Sequence, residues 1–126
     1  MRIAIASDDE RNIAEHFGRT RGFLVGDLEH GALQAPEYRL NTFTGHARGL
    51  AGAAHEVDRH GPIVSALKDC QVVISRGMGR RMYDDLKRAG VEVYVTEETE
   101  CARAVELYAS GALVDRPDLG CQHHHH

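Results

Sequence analysis

Residues 71 to 95 constrain the fold of this chain more than any other stretch. Gln71-Val72-Val73-Ile74-Ser75 is a short run apolar on both faces, the pattern of a strand buried in the middle of a sheet. A tight glycine-containing loop follows, Arg76-Gly77-Met78-Gly79. From Arg80 to Ala89 the apolar positions Met82, Leu86 and Ala89 share one helical face, and Gly90 stands where a left-handed cap is wanted. Val91-Glu92-Val93-Tyr94-Val95 then alternates as a second strand. Strand, helix and strand in this order imply parallel neighbours joined by a right-handed crossover.

The remaining elements build around that unit. Residues 2–6 form a first strand, short and apolar on both faces. Residues 22–27 and 33–40 read as a hairpin turning at Glu29-His30-Gly31, and Pro36, which cannot donate to a ladder, puts the second of these strands at a sheet edge. The stretch from Asn41 to Gly61 is rich in Gly, Ala and His; a helix over 49–58 is weakened by the glycines that precede and enter it. Pro62 suits the first turn of a helix running to Lys68. Thr96 or Thr99 is placed to cap a last helix through Cys101–Tyr108, ending at Gly111. The expectation is an α/β fold with one mixed sheet of about five strands and helices on both faces. A length of 126 residues suits one domain, expected over 1–115, with 116–126 as a flexible tail of loose coil.

Composition removes several classes. With 42% hydrophobic and 27% charged residues, the chain is not a disordered or low-complexity polymer. No apolar run approaches the roughly 20 residues of a membrane-spanning helix, and the opening Met1–Ser7 stretch is too short for an export signal, so the expected compartment is the cytoplasm. Fifteen Lys and Arg against nineteen Asp and Glu give a net charge of −4, without the basic surplus of a nucleic-acid binder. Three cysteines make no disulfide framework. Cys70 and Cys101 fall in apolar patterns and read as buried thiols. Cys121 precedes Gln122 and four histidines, a string that reads equally as part of a cloning tag and as a native metal-gathering tail.

Against the acidic background, Arg76, Arg80 and Arg81 crowd one loop. The loop leaves the carboxyl end of a buried strand and opens a helix, the place where α/β folds put ligands. Gly77 and Gly79 allow backbone N–H groups to approach an anion, and the helix start adds positive potential. The segment lacks the Gly-Lys-Ser/Thr of a P-loop and the third glycine of a dinucleotide fingerprint. Its rival reading is a tight turn with solvated arginines. His16 and Arg19 occupy a polar loop after the first strand, near the Gly77 loop if the two strands are neighbours. His46, His55 and His60 are not spaced for one helical face, but as loop residues they are candidate ligands for a transition metal, with Cys121 a further one. Asp8, Asp9 and Glu10 could start a two-metal nuclease site, yet Ser75 and Arg76 stand where its second carboxylate is needed. No nucleophilic triad is apparent.

The segments Ile3-Ala4-Ile5-Ala6-Ser7, His16-Phe17-Gly18-Arg19, Val72 to Arg81 and Leu86 to Thr96, in this order and over most of Met1–Val114, resemble the dinitrogenase iron–molybdenum cofactor biosynthesis family, the NifX/NifB C-terminal type of domain. The resemblance implies a ribonuclease H-like layered α/β fold and carriage of cargo without catalysis: binding an iron–sulfur or molybdenum–iron–sulfur cluster, or its precursor, and passing it between donor and acceptor proteins. Such clusters are anionic. Arg76, Gly77, Met78, Gly79 and Arg80 are then the expected cradle, with His16 and Arg19 beside it and His46, His55 and His60 as candidate ligands. Stand-alone members occur outside nitrogen fixation, so the resemblance does not assign this chain to nitrogenase. The alternatives are a simple transition-metal binder or sensor built on the loop histidines, and an interaction module whose glycines are only turns.

Overall fold

The computed structural model describes residues 1–41 and 61–116. Among the described residues, five strands form one sheet: β1 (Arg2–Ser7), β2 (Gly22–Glu29), β3 (Ala32–Leu40), β4 (Val72–Ser75) and β5 (Glu92–Val95), in the spatial order β3-β2-β1-β4-β5. The described helices are α1 (Gly61–Ala66), α2 (Arg80–Arg88) and α3 (Cys101–Ala109). None of the described helices is long and apolar enough to cross a membrane.

β1 is the hinge of the topology. It pairs antiparallel with β2, from Arg2 opposite Asp27 to Ser7 opposite Gly22, and parallel with β4, with Ile3 opposite Val72 and Ile5 opposite Ile74. β4 and β5 are parallel as the 71–95 pattern requires, and α2 is their crossover. Side-chain alternation on β1 feeds two cores. Ala4 and Ala6 face a layer that includes Phe17, Phe23, Ile63, Leu67, Met82 and Leu86, beneath α1 and α2. Ile3 and Ile5 face Val72, Ile74, Cys101, Ala104 and Val105, beneath α3. The α/β architecture expected from the sequence, with a mixed five-stranded sheet between helices, is the one observed.

Local signals explain most element ends. The β2–β3 turn consists of His30 (φ 54°) and Gly31 (φ 79°), the paired left-handed residues of a tight two-residue hairpin. Pro36 lies on β3, an edge strand, as expected. At the end of α2 the Val91 N–H donates to the Leu86 carbonyl and the Gly90 N–H to that of Lys87, a Schellman arrangement that uses Gly90 at φ 87°. α3 differs from expectation: neither Thr96 nor Thr99 caps it. Its first residue, Cys101, donates its N–H to the Arg11 carbonyl at 2.9 Å, so a loop backbone replaces the side-chain cap. Arg116, placed in the tail by the sequence reading, still donates its N–H to the Val95 carbonyl at 2.7 Å.

Opposite the β1 and β4 loops, charges join elements distant in sequence. Asp69 accepts from both terminal nitrogens of Arg39, at 3.0 and 2.8 Å, and from Arg2 at 2.7 Å. These bonds, those from Arg39 foremost, hold the Asp69 carboxyl well below the usual carboxylate range. A depressed pKa contributes stability above the unfolded value near 4, and that stability is lost as pH falls toward the folded value. Because the groups are partly solvated, Asp69→Asn should cost about 1 kcal/mol at pH 7, or about 4 °C in Tm. Thermal melts of both proteins should converge below about pH 4; a constant gap down to pH 2 would contradict this account.

Candidate functional site: a cleft where two loops meet

Parallel pairing of β1 with β4 sends both following loops out of the same end of the sheet. The loop after β1 is tightly organised. Asp9 accepts from the N–H groups of Arg11 (2.9 Å) and Asn12 (2.8 Å) and from the Asn12 amide (2.9 Å). With the backbone bonds contributing most, its pKa falls to about 2. Ser7 donates its hydroxyl to the Asn12 carbonyl at 2.7 Å and accepts from the Glu10 N–H at 2.8 Å. Asp8 accepts from the Arg21 N–H at 2.8 Å, closing the far side of the loop. Phe17 anchors it from below, fully buried and 5.2 Å from the Phe23 ring.

The loop after β4 is welded to the first. The Phe17 N–H donates to the Gly77 carbonyl at 2.8 Å. Ser75, also buried, donates its hydroxyl to the Gly77 carbonyl and accepts from the Gly77 N–H, at 3.0 and 3.2 Å. A Cβ at Gly77 would lie 2.4 Å from the Glu15 carbonyl oxygen. Gly77 is therefore required by close approach of two backbones. Gly79 is not so constrained: a Cβ there would meet nothing within 4 Å, and the residue serves as the N-cap position of α2.

Between the loops opens a cleft of about 370 Å³, lined by Asp8, Asp9, Glu15, His16, Arg19, Thr20 and Arg76 among others. Arg76 crosses its wall. Its Nη1 stands 3.9 Å from Glu15 Oε2, while its Nε is buried and has no hydrogen-bond partner among the described residues. A buried guanidinium N–H without an acceptor is costly, and the part of the guanidinium that stays exposed, about a third of the side chain, offers charge-assisted donors to an anion in the cleft.

The structure thus divides the candidates. His16, Arg19 and Arg76 are brought together in the lining; Gly77 lies next to His16, behind the lining residues rather than among them. Met78 is not in the cradle: its side chain, 4% exposed, packs in the core beneath α2 because the chain turns inward there to enter the helix. Arg80 is also outside the cleft, exposed on the first turn of α2 beyond its rim. His46, His55, His60 and Cys121 lie outside the described residues. Among the described residues, no three His, Cys, Asp or Glu side chains converge as a metal site. A larger groove of about 660 Å³, between α3 and the hairpin, contains none of the candidates. What sequence reasoning missed was the acid in the cleft. In sequence Asp8 and Asp9 read only as nuclease ligands, although an Asp two and three residues before N–H groups in a polar loop is itself a turn-forming signal.

Residues 1–111 match the family described as dinitrogenase iron–molybdenum cofactor. The chain belongs to that family. An uncharacterized protein of Methanocaldococcus jannaschii is 27% identical over 113 residues, covering 90% of this chain and 89% of the relative. NifX of Rhodobacter capsulatus is 31% identical over 107 residues, 83% of this chain and 65% of NifX, so about a third of NifX has no counterpart in the match. The apo form of the orange protein from Desulfovibrio gigas superposes with a TM-score of 0.68 at 23% identity, covering 91% of this chain and 92% of the other, a likeness of fold. In this member of the iron–molybdenum cofactor family, the matched region contains every described residue that lines the cleft.

The two cysteines in the described part offer no exposed thiolate. Burial pushes the Cys70 thiol up to about 12 and the Cys101 thiol up to about 11. Raised values keep both protonated at pH 8, where a thiolate is needed for alkylation. A brief iodoacetamide pulse at pH 8, read by mass spectrometry, should leave both unmodified in native protein and modify both in urea. Labelling of native Cys101 at the rate of a free thiol would contradict its burial. Gly77→Ala should destabilise the fold by about 1–3 kcal/mol in urea denaturation, since the new methyl meets backbone that must shift; an unchanged midpoint would show that the loops separate easily.

Proposed function

We propose that this protein binds an anionic metal–sulfur cluster, of iron–sulfur or molybdenum–iron–sulfur type, or its precursor, in the cleft between the β1 and β4 loops. It carries this cargo from a donor protein to an acceptor without turning over a substrate. Family membership supports the class of cargo. The observation that carries the reading is Arg76, a cation in the cleft wall whose Nε is buried and lacks an acceptor. The sulfides of a cluster are acceptors and bring negative charge.

The residues fit such a guest in complementary ways. Arg76 and Arg19 supply positive charge and N–H donors. His16 supplies an imidazole, a ligand suited to iron and copper. Asp8 and Asp9 are committed to backbone and hydroxyl donors of their own loop, which leaves the arginines to face the cargo. A carrier must also release what it holds, and a shallow cleft of few ligands suits reversible binding better than a closed cage. The mixed sheet with helices on both faces supports the ribonuclease H-like label for the scaffold.

Anaerobic reconstitution with ferrous iron and sulfide tests the reading. The wild-type chain should develop visible charge-transfer absorbance. Arg76→Ala should lose cluster roughly tenfold faster, the scale of one charge-assisted hydrogen bond, while its Tm changes little. A variant that keeps the cluster as long as the wild type would remove Arg76, and the cleft with it, from the binding site.

A further inference from the structure

Glu15 is the carboxylate in the cleft that has no settled partner. Asp8 and Asp9 each accept hydrogen bonds from their own loop, at 2.8 Å from Arg21 and at 2.8 to 2.9 Å from Arg11 and Asn12. Among the described residues Glu15 makes only the long 3.9 Å approach to Arg76, and its side chain is 74% exposed. Its backbone, by contrast, is held on both sides. Ala14 donates to the Ala6 carbonyl at 2.7 Å and Phe17 to the Gly77 carbonyl at 2.8 Å, and the Glu15 carbonyl itself abuts Gly77. A solvent-exposed carboxylate on a fixed stem therefore stands within reach of the cation that lines the cleft, at one end of a guanidinium whose Nε has no partner among the described residues.

We propose that Glu15 is a tethered counter-anion that competes with the cargo for Arg76 and so sets how readily the cargo leaves. The proposal rests on the cluster-carrying reading above. With the cleft empty of cargo, Glu15 partly neutralises Arg76. An incoming anionic cluster must displace it or tolerate its repulsion. During departure, the carboxylate is at hand to take over the guanidinium as each contact to the cluster breaks. Because the competitor is covalently attached, its effective concentration does not fall on dilution. Being solvated, the pair is weak, so the effect on retention is modest. Modest retention is what transfer requires.

The test uses the full chain loaded anaerobically with a cluster from ferrous iron and sulfide, then mixed with excess apo-ferredoxin while the change in visible absorbance is followed. Glu15→Gln keeps the shape and removes the charge, and should slow cluster loss about threefold or more. In an Arg76→Gln background the same change should have no effect, because the competition has lost its object. Equal rates for wild type and Glu15→Gln, with both proteins fully loaded, would overturn the role of Glu15 and leave the carrier reading standing. Faster loss from Glu15→Gln would make Glu15 a support for the cargo and overturn it equally. A slowing of the same size in both backgrounds would show that Glu15 acts apart from Arg76. Wild-type protein that takes up no cluster would bring down the carrier reading, and this inference with it.

Discussion

Parallel pairing of β1 with β4 is the constraint on which the rest of the molecule depends. β1 has antiparallel β2 on one flank and parallel β4 on the other, so it is the strand at which the sheet changes sense. Only a parallel neighbour sends its following loop out of the same end. Residues some sixty positions apart in the chain, His16 and Arg76, thereby line one cleft. The strand can occupy this position because both its faces are buried and its side chains are small on one side, Ala4 and Ala6, and branched on the other, Ile3 and Ile5. The alanines leave room for the phenylalanines and the helix residues that fill the layer beneath α1 and α2.

The contact between Gly77 and the Glu15 carbonyl turns that proximity into a fixed geometry. Two backbones this close exclude a side chain, and the space that remains lies beside them. The cleft is electrostatically mixed, with Arg19 and Arg76 opposed by Asp8, Asp9 and Glu15. The carboxylates differ in what they do. Asp9, held near pKa 2 by N–H donors, is part of the loop's framework, whereas Glu15 is fixed through its main chain and its carboxylate makes just the long approach to Arg76 among the described residues. A simple sum of charges misses this difference.

The fold was largely legible in the sequence because its signals are local. The 71–95 unit declares itself through a two-faced apolar run, a helical stripe and Gly90 at the cap; the hairpin declares itself through Gly31 and Pro36. Signals that depend on tertiary contact were not legible. The start of α3 is satisfied by the carbonyl of Arg11, ninety residues away in the chain, so neither threonine was needed as a cap. Met78 and Arg80 read as cradle residues because they flank glycines in the right loop, but which way each side chain turns is decided by the entry angle into α2. His16, Arg19 and Arg76 could be named from their loops; that Glu15 stands beside Arg76 could not, because it depends on how closely the two loops pack.

Tyr38 links the outermost ribbon to this end of the sheet. Its ring lies over Gly22, where a Cβ would come within 2.6 Å of it, and its hydroxyl donates to the Ser7 carbonyl at 2.7 Å. Ser7 is the last residue of β1 and the root of the loop that carries Asp8 through Thr20. The edge strand thus grips the stem of the cleft from two strands away, across a neighbour that must stay bare for the ring to pass. Besides the ladder through β2, the hydroxyl gives the outermost strand a direct tie to that carbonyl, which makes the periphery of the sheet a handle on the end where the cleft opens.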